Sequence, residues 1–157
     1  MGGVNVVVSL AVLVCIAYLA VTGIIPVWWR LGIALSRNKI AIFADSDHFS
    51  DLKKVLIDSK LFKEKNIVHI GTTNIQSAKS ADLLLVYWPT FKDKLDNVLM
   101  AKSHSVSLVV YAPQEEGRID EESMNKLNKH HNVIITNFRG RLLNDVFVSM
   151  ITTKREK

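Results

Sequence analysis

The sequence predicts an α/β protein: an N-terminal transmembrane helix, then a five-stranded, mostly parallel sheet with helices on both faces. Three observations lead there. Val4 to Trp29 contains no Asp, Glu, Lys, Arg or His, while all 20 Lys and Arg and all 15 Asp and Glu follow it. Beyond that stretch, short apolar runs recur along the chain: KIAIFA, IVHI, DLLLVYW, SVSLVVY and VIIT. Between most of these runs, apolar residues recur at helical spacing. Strands that alternate with helices become parallel neighbours joined by right-handed crossovers.

The Val4 to Trp29 run exceeds the roughly 20 apolar residues a helix needs to cross the hydrocarbon core. A cleaved signal peptide is not expected, because Met1-Gly2-Gly3-Val4-Asn5 lacks a basic n-region and no small-x-small site follows. Nor is a lipid anchor expected. Val6 stands where a myristoylation signal needs a hydroxyl, and Cys15 lies mid-helix. Trp28 and Trp29 suit the headgroup boundary, and Pro26 is expected to bend the helix there. Arg30, Arg37 and Lys39 follow the run, an excess that marks the cytoplasmic side of an inner membrane, with Leu31 to Leu35 as an apolar collar. The expected organisation is a transmembrane helix over 1–29, a connector over 30–38 and a cytoplasmic domain over 39–157. On a helical wheel, Asn5, Ser9, Ile16, Ala20 and Gly23 share one face; Ala11, Cys15, Tyr18 and Thr22 share the opposite one. Two such faces suit a helix with a neighbour on each side, so a homo-oligomer is expected within the lipid bilayer.

In the domain, Lys39 to Ala44 reads as a buried strand, and Asp45-Ser46-Asp47 as the cap of a helix that buries Phe49, Leu52, Val55, Leu56 and Phe62. Ile67 to Ile70 is the second strand, closed by Gly71-Thr72-Thr73. Asn74 to Ser80 is too short for a three-turn crossover helix. Asp82 to Trp88 is apolar without alternation, as in a parallel strand covered on both faces. Pro89-Thr90 opens the next helix, with Thr90 and Asp93 spaced like a capping box and Phe91, Leu95, Val98 and Leu99 inward. Ser105 to Tyr111 is the fourth strand. Asp120 caps a helix with Met124 and Leu127 inward, and Val133 to Thr136 is the fifth strand. Leu142, Leu143, Val146, Phe147, Met150 and Ile151 form the buried stripe of a last helix with a basic tail, Lys154 to Lys157.

The net charge of +5 and pI near 9.4 suit an anionic ligand or surface, but acidic and basic residues are interspersed, so nucleic acid is not expected as a partner. One Cys excludes an intrachain disulfide framework and a cysteine-rich zinc site. His48 and His130-His131 have no second ligand at i+4, so no metal is expected. No glycine-rich phosphate loop is present, and no cofactor is expected.

Strand order 2-1-3-4-5 is expected, with ligands settling outside the carboxyl ends near the switch point. That rule selects Asp45, Ser46 and Asp47 after the first strand and Thr72 and Thr73 after the second. It adds Trp88 and Thr90 after the third, Gln114 after the fourth, and Asn137 and Arg139 after the fifth. Tyr87 and Trp88 offer rings to stack on a base, though strand-end aromatics usually belong to cores. Arg139 and Arg141 flank Gly140 at a helix start, a place that favours phosphate.

At the level of topology, Lys39 to Thr153 resembles the flavodoxin-like superfold. That superfold is shared by phosphoacceptor receiver domains, Toll/interleukin-receptor domains, deoxyribosyltransferase-like domains and nucleotide-sensing Rossmann-like domains of prokaryotic antiviral systems. A receiver implies an acidic pair after strand one, then Asp, Ser or Thr, and Lys after strands three, four and five. Asp45 and Asp47 loosely match the first of these. Trp88-Pro89, Ala112-Pro113 and Arg139 replace the others, so phosphotransfer is not expected. Ala81 to Val86 (ADLLLV) and the short second crossover resemble the nucleosidase branches, which implies a Glu near a helix start. Asp93 and Asp96 stand there instead, and no catalytic residue is assigned.

A membrane span ahead of such a domain resembles single-helix effectors of prokaryotic antiviral signalling. The resemblance implies a sensor of an anionic nucleotide-type signal, or of a partner, that acts through oligomerisation of its membrane helix. The alternative is a non-catalytic adaptor that recruits a cytoplasmic partner protein. A membrane-bound nucleosidase stands behind both.

Overall fold

The computed structural model describes residues 2–28, 32 and 38–153. The chain divides into two compact units, Met1–Ala34 and Leu35–Lys157. Trp29, Arg30, the collar residues Leu31 and Ile33 to Leu35, Arg37 and the tail Lys154 to Lys157 lie outside the described residues.

In the first unit, α1 (Gly2–Leu19) runs into a wider π-helical turn, Ala20–Ile24, and residues 25–28 are helical again. Val6–Trp28 is long and apolar enough to cross a membrane, and its large apolar side chains are exposed. The turn has a local cause. Pro26 has no N–H to give, and its ring crowds the carbonyl four residues back, at Thr22, so the ladder widens ahead of it. Thr22 Oγ1 donates to the Tyr18 carbonyl at 2.8 Å within the same stretch.

The second unit is a five-stranded sheet in the order β2-β1-β3-β4-β5, with every pairing parallel. β1 is Ile40–Phe43, α2 Ser46–Asp58, β2 Ile67–Ile70 and β3 Leu83–Tyr87. A single turn, Trp88–Phe91, leads through a 3-10 turn into α3, Leu95–Ala101. β4 is Ser107–Tyr111, α4 Glu121–Asn128, β5 Val133–Thr136 and α5 Arg139–Thr152. β1, β3 and β4 are buried along their whole length because apolar layers cover both faces of the sheet.

Alternate strand residues feed the two layers, since successive side chains point to opposite faces. One layer packs Ile42, Leu85, Tyr87 and Val109 with Leu52 and Leu56 of α2 and Leu142, Val146 and Met150 of α5. The other packs Phe43, Leu84, Val86, Trp88 and Val110 with Phe91, Leu95, Val98 and Leu99, together with Leu127 of α4. The connection into β3 is the 3-10 stretch Ile75–Ser80, which buries Ile75 and Ala78, so six residues suffice where a longer helix does not fit.

Ile151, expected to be buried, is exposed, Phe62 packs in the core from beyond the end of α2, and two expectations change at the end of β3. β3 stops at Tyr87, and Trp88 begins the following turn with Pro89 in its first positions, where the missing N–H does no harm. No capping box forms at Thr90, because Thr90 already lies inside that turn and its hydroxyl is committed to Asp45.

Candidate functional site

The sheet's order reverses between β1 and β3, and the polar residues that follow those two strands meet there. Asp45 follows β1 and is the N-cap of α2; its carboxylate accepts from the His48 backbone N–H at 3.5 Å. It also accepts the Thr90 hydroxyl at 2.9 Å, a bond that spans the switch point. His48 Nδ1 lies 2.7 Å from Asp45 Oδ1. Burial raises the Asp45 carboxyl pKa, but the hydrogen bonds from Thr90 and His48 outweigh it and hold the group below the usual carboxylate value. An ionised carboxylate only accepts, so Nδ1 carries the proton and Nε2 is left for a further partner.

The His48 ring stacks on Tyr87, with centroids 4.1 Å apart and planes 20° from parallel. Tyr87 is buried at the end of β3 and donates its hydroxyl to Glu116 in the loop after β4. Glu116 Oε2 also stands 3.9 Å from His48 Nε2. Tyr111, which ends β4, lies beside Tyr87 at 6.1 Å between centroids. Its hydroxyl pKa is raised by burial, with Arg139 pulling it down and Glu115 adding to the rise, so Tyr111 stays protonated at neutral pH. Arg139, the first residue of α5, is half exposed and 3.8 Å from Asp51 of α2.

The arrangement therefore joins the ends of β1, β3 and β4 to the starts of α2 and α5. It offers the Asp45 and Glu116 carboxylates, the stacked His48 and Tyr87 rings, and the Arg139 guanidinium, which faces the Asp51 carboxylate. Carboxylates accept hydroxyl and amino donors, ring faces pack on planar groups, and a guanidinium meets an anion. Among the described residues no hydroxyl or thiol bonds to His48 Nε2, so the Asp45–His48 pair has no nucleophile beside it. No group of three or more His, Cys, Asp or Glu among the described residues is placed to hold a metal.

The other residues selected from the sequence are distributed along the same edge. Ser46, Gln114 and Asn137 are exposed, as are Thr72 and Thr73, where the Thr72 carbonyl accepts from Lys94 Nζ at 3.0 Å. Arg141 is exposed and 3.9 Å from Asp145, one turn further along α5. Trp88 is only 3 % exposed and packs in the layer opposite Tyr87. Asp96, weighed as a carboxylate nucleophile, pairs instead with Lys126 at 3.1 Å.

Sequence reasoning passed over His48 and Glu116. His48 stands three residues after Asp45, a spacing that lets an N-cap carboxylate meet an imidazole, and that signal was available. Glu116 carried none, because its contacts are with residues of β3 and α2 far away in the chain. No family model, curated protein or solved structure matches the chain.

Proposed function

We propose that this chain is a single-pass membrane protein whose α/β domain, on the cytoplasmic side, senses an anionic nucleotide-type ligand at the β1/β3 switch point. The observation that carries the reading is the Asp45–Thr90 hydrogen bond across that point, with His48 held against Tyr87 beside it. Asp45 and Glu116 would accept the sugar hydroxyls and base amino groups of such a ligand. Arg139, at the start of α5, would meet its phosphate, where the first turn, which no side chain of its N-cap residue caps, adds to the attraction. Binding would be relayed through association of the membrane helices, as in the antiviral effectors whose architecture the sequence resembles.

Calorimetric titration of the full-length chain in neutral detergent with cyclic and linear oligonucleotide second messengers tests this. Saturable binding that weakens about tenfold in Arg139→Ala is expected, the loss of one charge-assisted contact. Absence of binding by all of them, or no difference between wild type and variant, contradicts it.

Phe138 favours a second reading. It is 53 % exposed at the same edge, immediately before Arg139, and an aromatic beside an Arg is the composition of a protein-binding hot spot. On that reading the domain is an adaptor that recruits a protein partner. A stoichiometric partner lost in Phe138→Ala, together with an empty switch point, distinguishes it.

A further inference from the structure

At the opposite edge of the sheet, a cleft of about 190 Å³ opens between the loops that precede β4 and β5. Its lining is Lys102, Ser103, His104, Lys129, His130 and His131. Every one of these side chains offers a donor or a cation, and no carboxylate lines the space. We propose that this cleft binds a phosphate monoester, either free in solution or as the headgroup of a lipid. The site lies at the strands' amino ends and is independent of the switch-point reading.

Both loops are held through Asn132, by its backbone and its side-chain amide. Asn132 adopts a left-handed conformation, φ +57°, and its amide donates to the His104 carbonyl at 3.3 Å. Its own carbonyl accepts from Leu108 N–H at 2.8 Å, so one residue fastens the 102–104 and 129–131 loops to each other and to the sheet. The cations are thus presented on a fixed frame.

Electrostatics favour an anion despite an opposing contribution. α3 and α4 both end at the cleft, and each helix end contributes roughly half a negative charge. Two ammonium groups outweigh that, and some of the exposed carbonyls there are already taken: Val98 and Leu99 accept from Lys102 N–H, Leu127 from His130 N–H. Among the described residues no carboxylate pairs with Lys102, Lys129 or the three imidazoles. The nearby Lys126, by contrast, is shared by Asp96 and Glu122. Lys102 is also partly withdrawn from water, and that burial lowers its ammonium pKa. Its one bond is long, 3.4 Å to the Ser103 carbonyl. A phosphate monoester, with about −1.5 to −2 charges at neutral pH and three acceptor oxygens, supplies what this cation lacks.

Size argues against a large occupant. The cleft is smaller than the roughly 300–1,000 Å³ of sites that enclose a drug-sized molecule, so it suits a phosphate group and not a whole nucleotide. Among the described residues no three His, Cys, Asp or Glu side chains, the imidazoles here included, are placed to hold a metal.

The test titrates the full-length chain in neutral detergent with inorganic phosphate and with dihexanoyl phosphatidic acid, against chloride at matched ionic strength. Saturable binding of at least one probe is expected, weakened about tenfold in the Lys102→Gln/Lys129→Gln double variant. Lys129→Glu is the second variant; its side chain is exposed, so it lowers binding without disturbing the core. Tighter binding of phosphatidic acid assigns the ligand to a lipid headgroup, and equal or tighter binding of phosphate assigns it to a soluble ester. In an Arg139→Ala background, which removes the cation proposed to meet phosphate at the switch point, saturable binding in the cleft remains. The proposal is overturned if neither probe saturates, if both lysine variants bind as wild type, or if Arg139→Ala alone abolishes binding.

Discussion

The Asp45 side chain has three partners within reach: the backbone N–H of His48 in the first turn of α2, the His48 ring and the Thr90 hydroxyl. Removing a side-chain N-cap costs about 1 kcal/mol, and leaving the part-buried Thr90 hydroxyl without its acceptor adds to that, so Asp45→Ala is expected to lose about 1–2 kcal/mol. The sign of its pH dependence follows from the lowered pKa. Stability that depends on a carboxyl depressed in the fold is fully present above its unfolded value and is lost as pH falls through the folded one. In urea melts the gap between wild type and Asp45→Ala should therefore be constant at neutral pH and narrow below about pH 4. A gap that is unchanged at pH 3 would show that the charge contributes nothing. Asp45 and Arg139 could be placed near the carboxyl ends of the strands from position alone, since Asp45 comes soon after β1 and Arg139 soon after β5. Trp88 was not separable from Tyr87 by that rule. The two are adjacent at a strand end, so one ring faces the switch point and the other the opposite layer.

β3 illustrates what elements reveal in advance. Its five apolar residues in a row announced a central strand covered on both faces, and all are buried. β2 announced itself only as a short apolar run closed by Gly71-Thr72-Thr73, and as an edge strand it leaves Val68 and His69 exposed. The difference is measurable. Leu85→Ala, in the middle of β3, should lose about 2–5 kcal/mol, while Val68→Thr, 41 % exposed, should lose no more than about 0.5 kcal/mol. Equal losses in chemical denaturation would contradict the assignment of centre and edge. Helix starts were readable where a single carboxylate caps them, as at Asp45 and Asp120. The turn after β3 was not, because its Thr bonds across the sheet to a residue 45 positions earlier, and spacing along the chain cannot display such a bond.

At the scale of the molecule, composition divides the chain more sharply than any motif. Val6 to Trp28 leaves its large apolar side chains exposed and is long and apolar enough to cross a membrane, where the same hydrophobic effect that closes the domain's core would cover that surface with lipid. The domain has two apolar layers of its own, one on each face of the sheet. The most direct measurement is alkaline carbonate extraction of membranes carrying either the full-length chain or residues 38–157. The full-length chain should stay in the pellet, and the shortened one should appear in the supernatant and melt cooperatively. A full-length chain released by carbonate, or a shortened one that stays with the membrane or fails to melt as a unit, would contradict an anchored, self-sufficient domain.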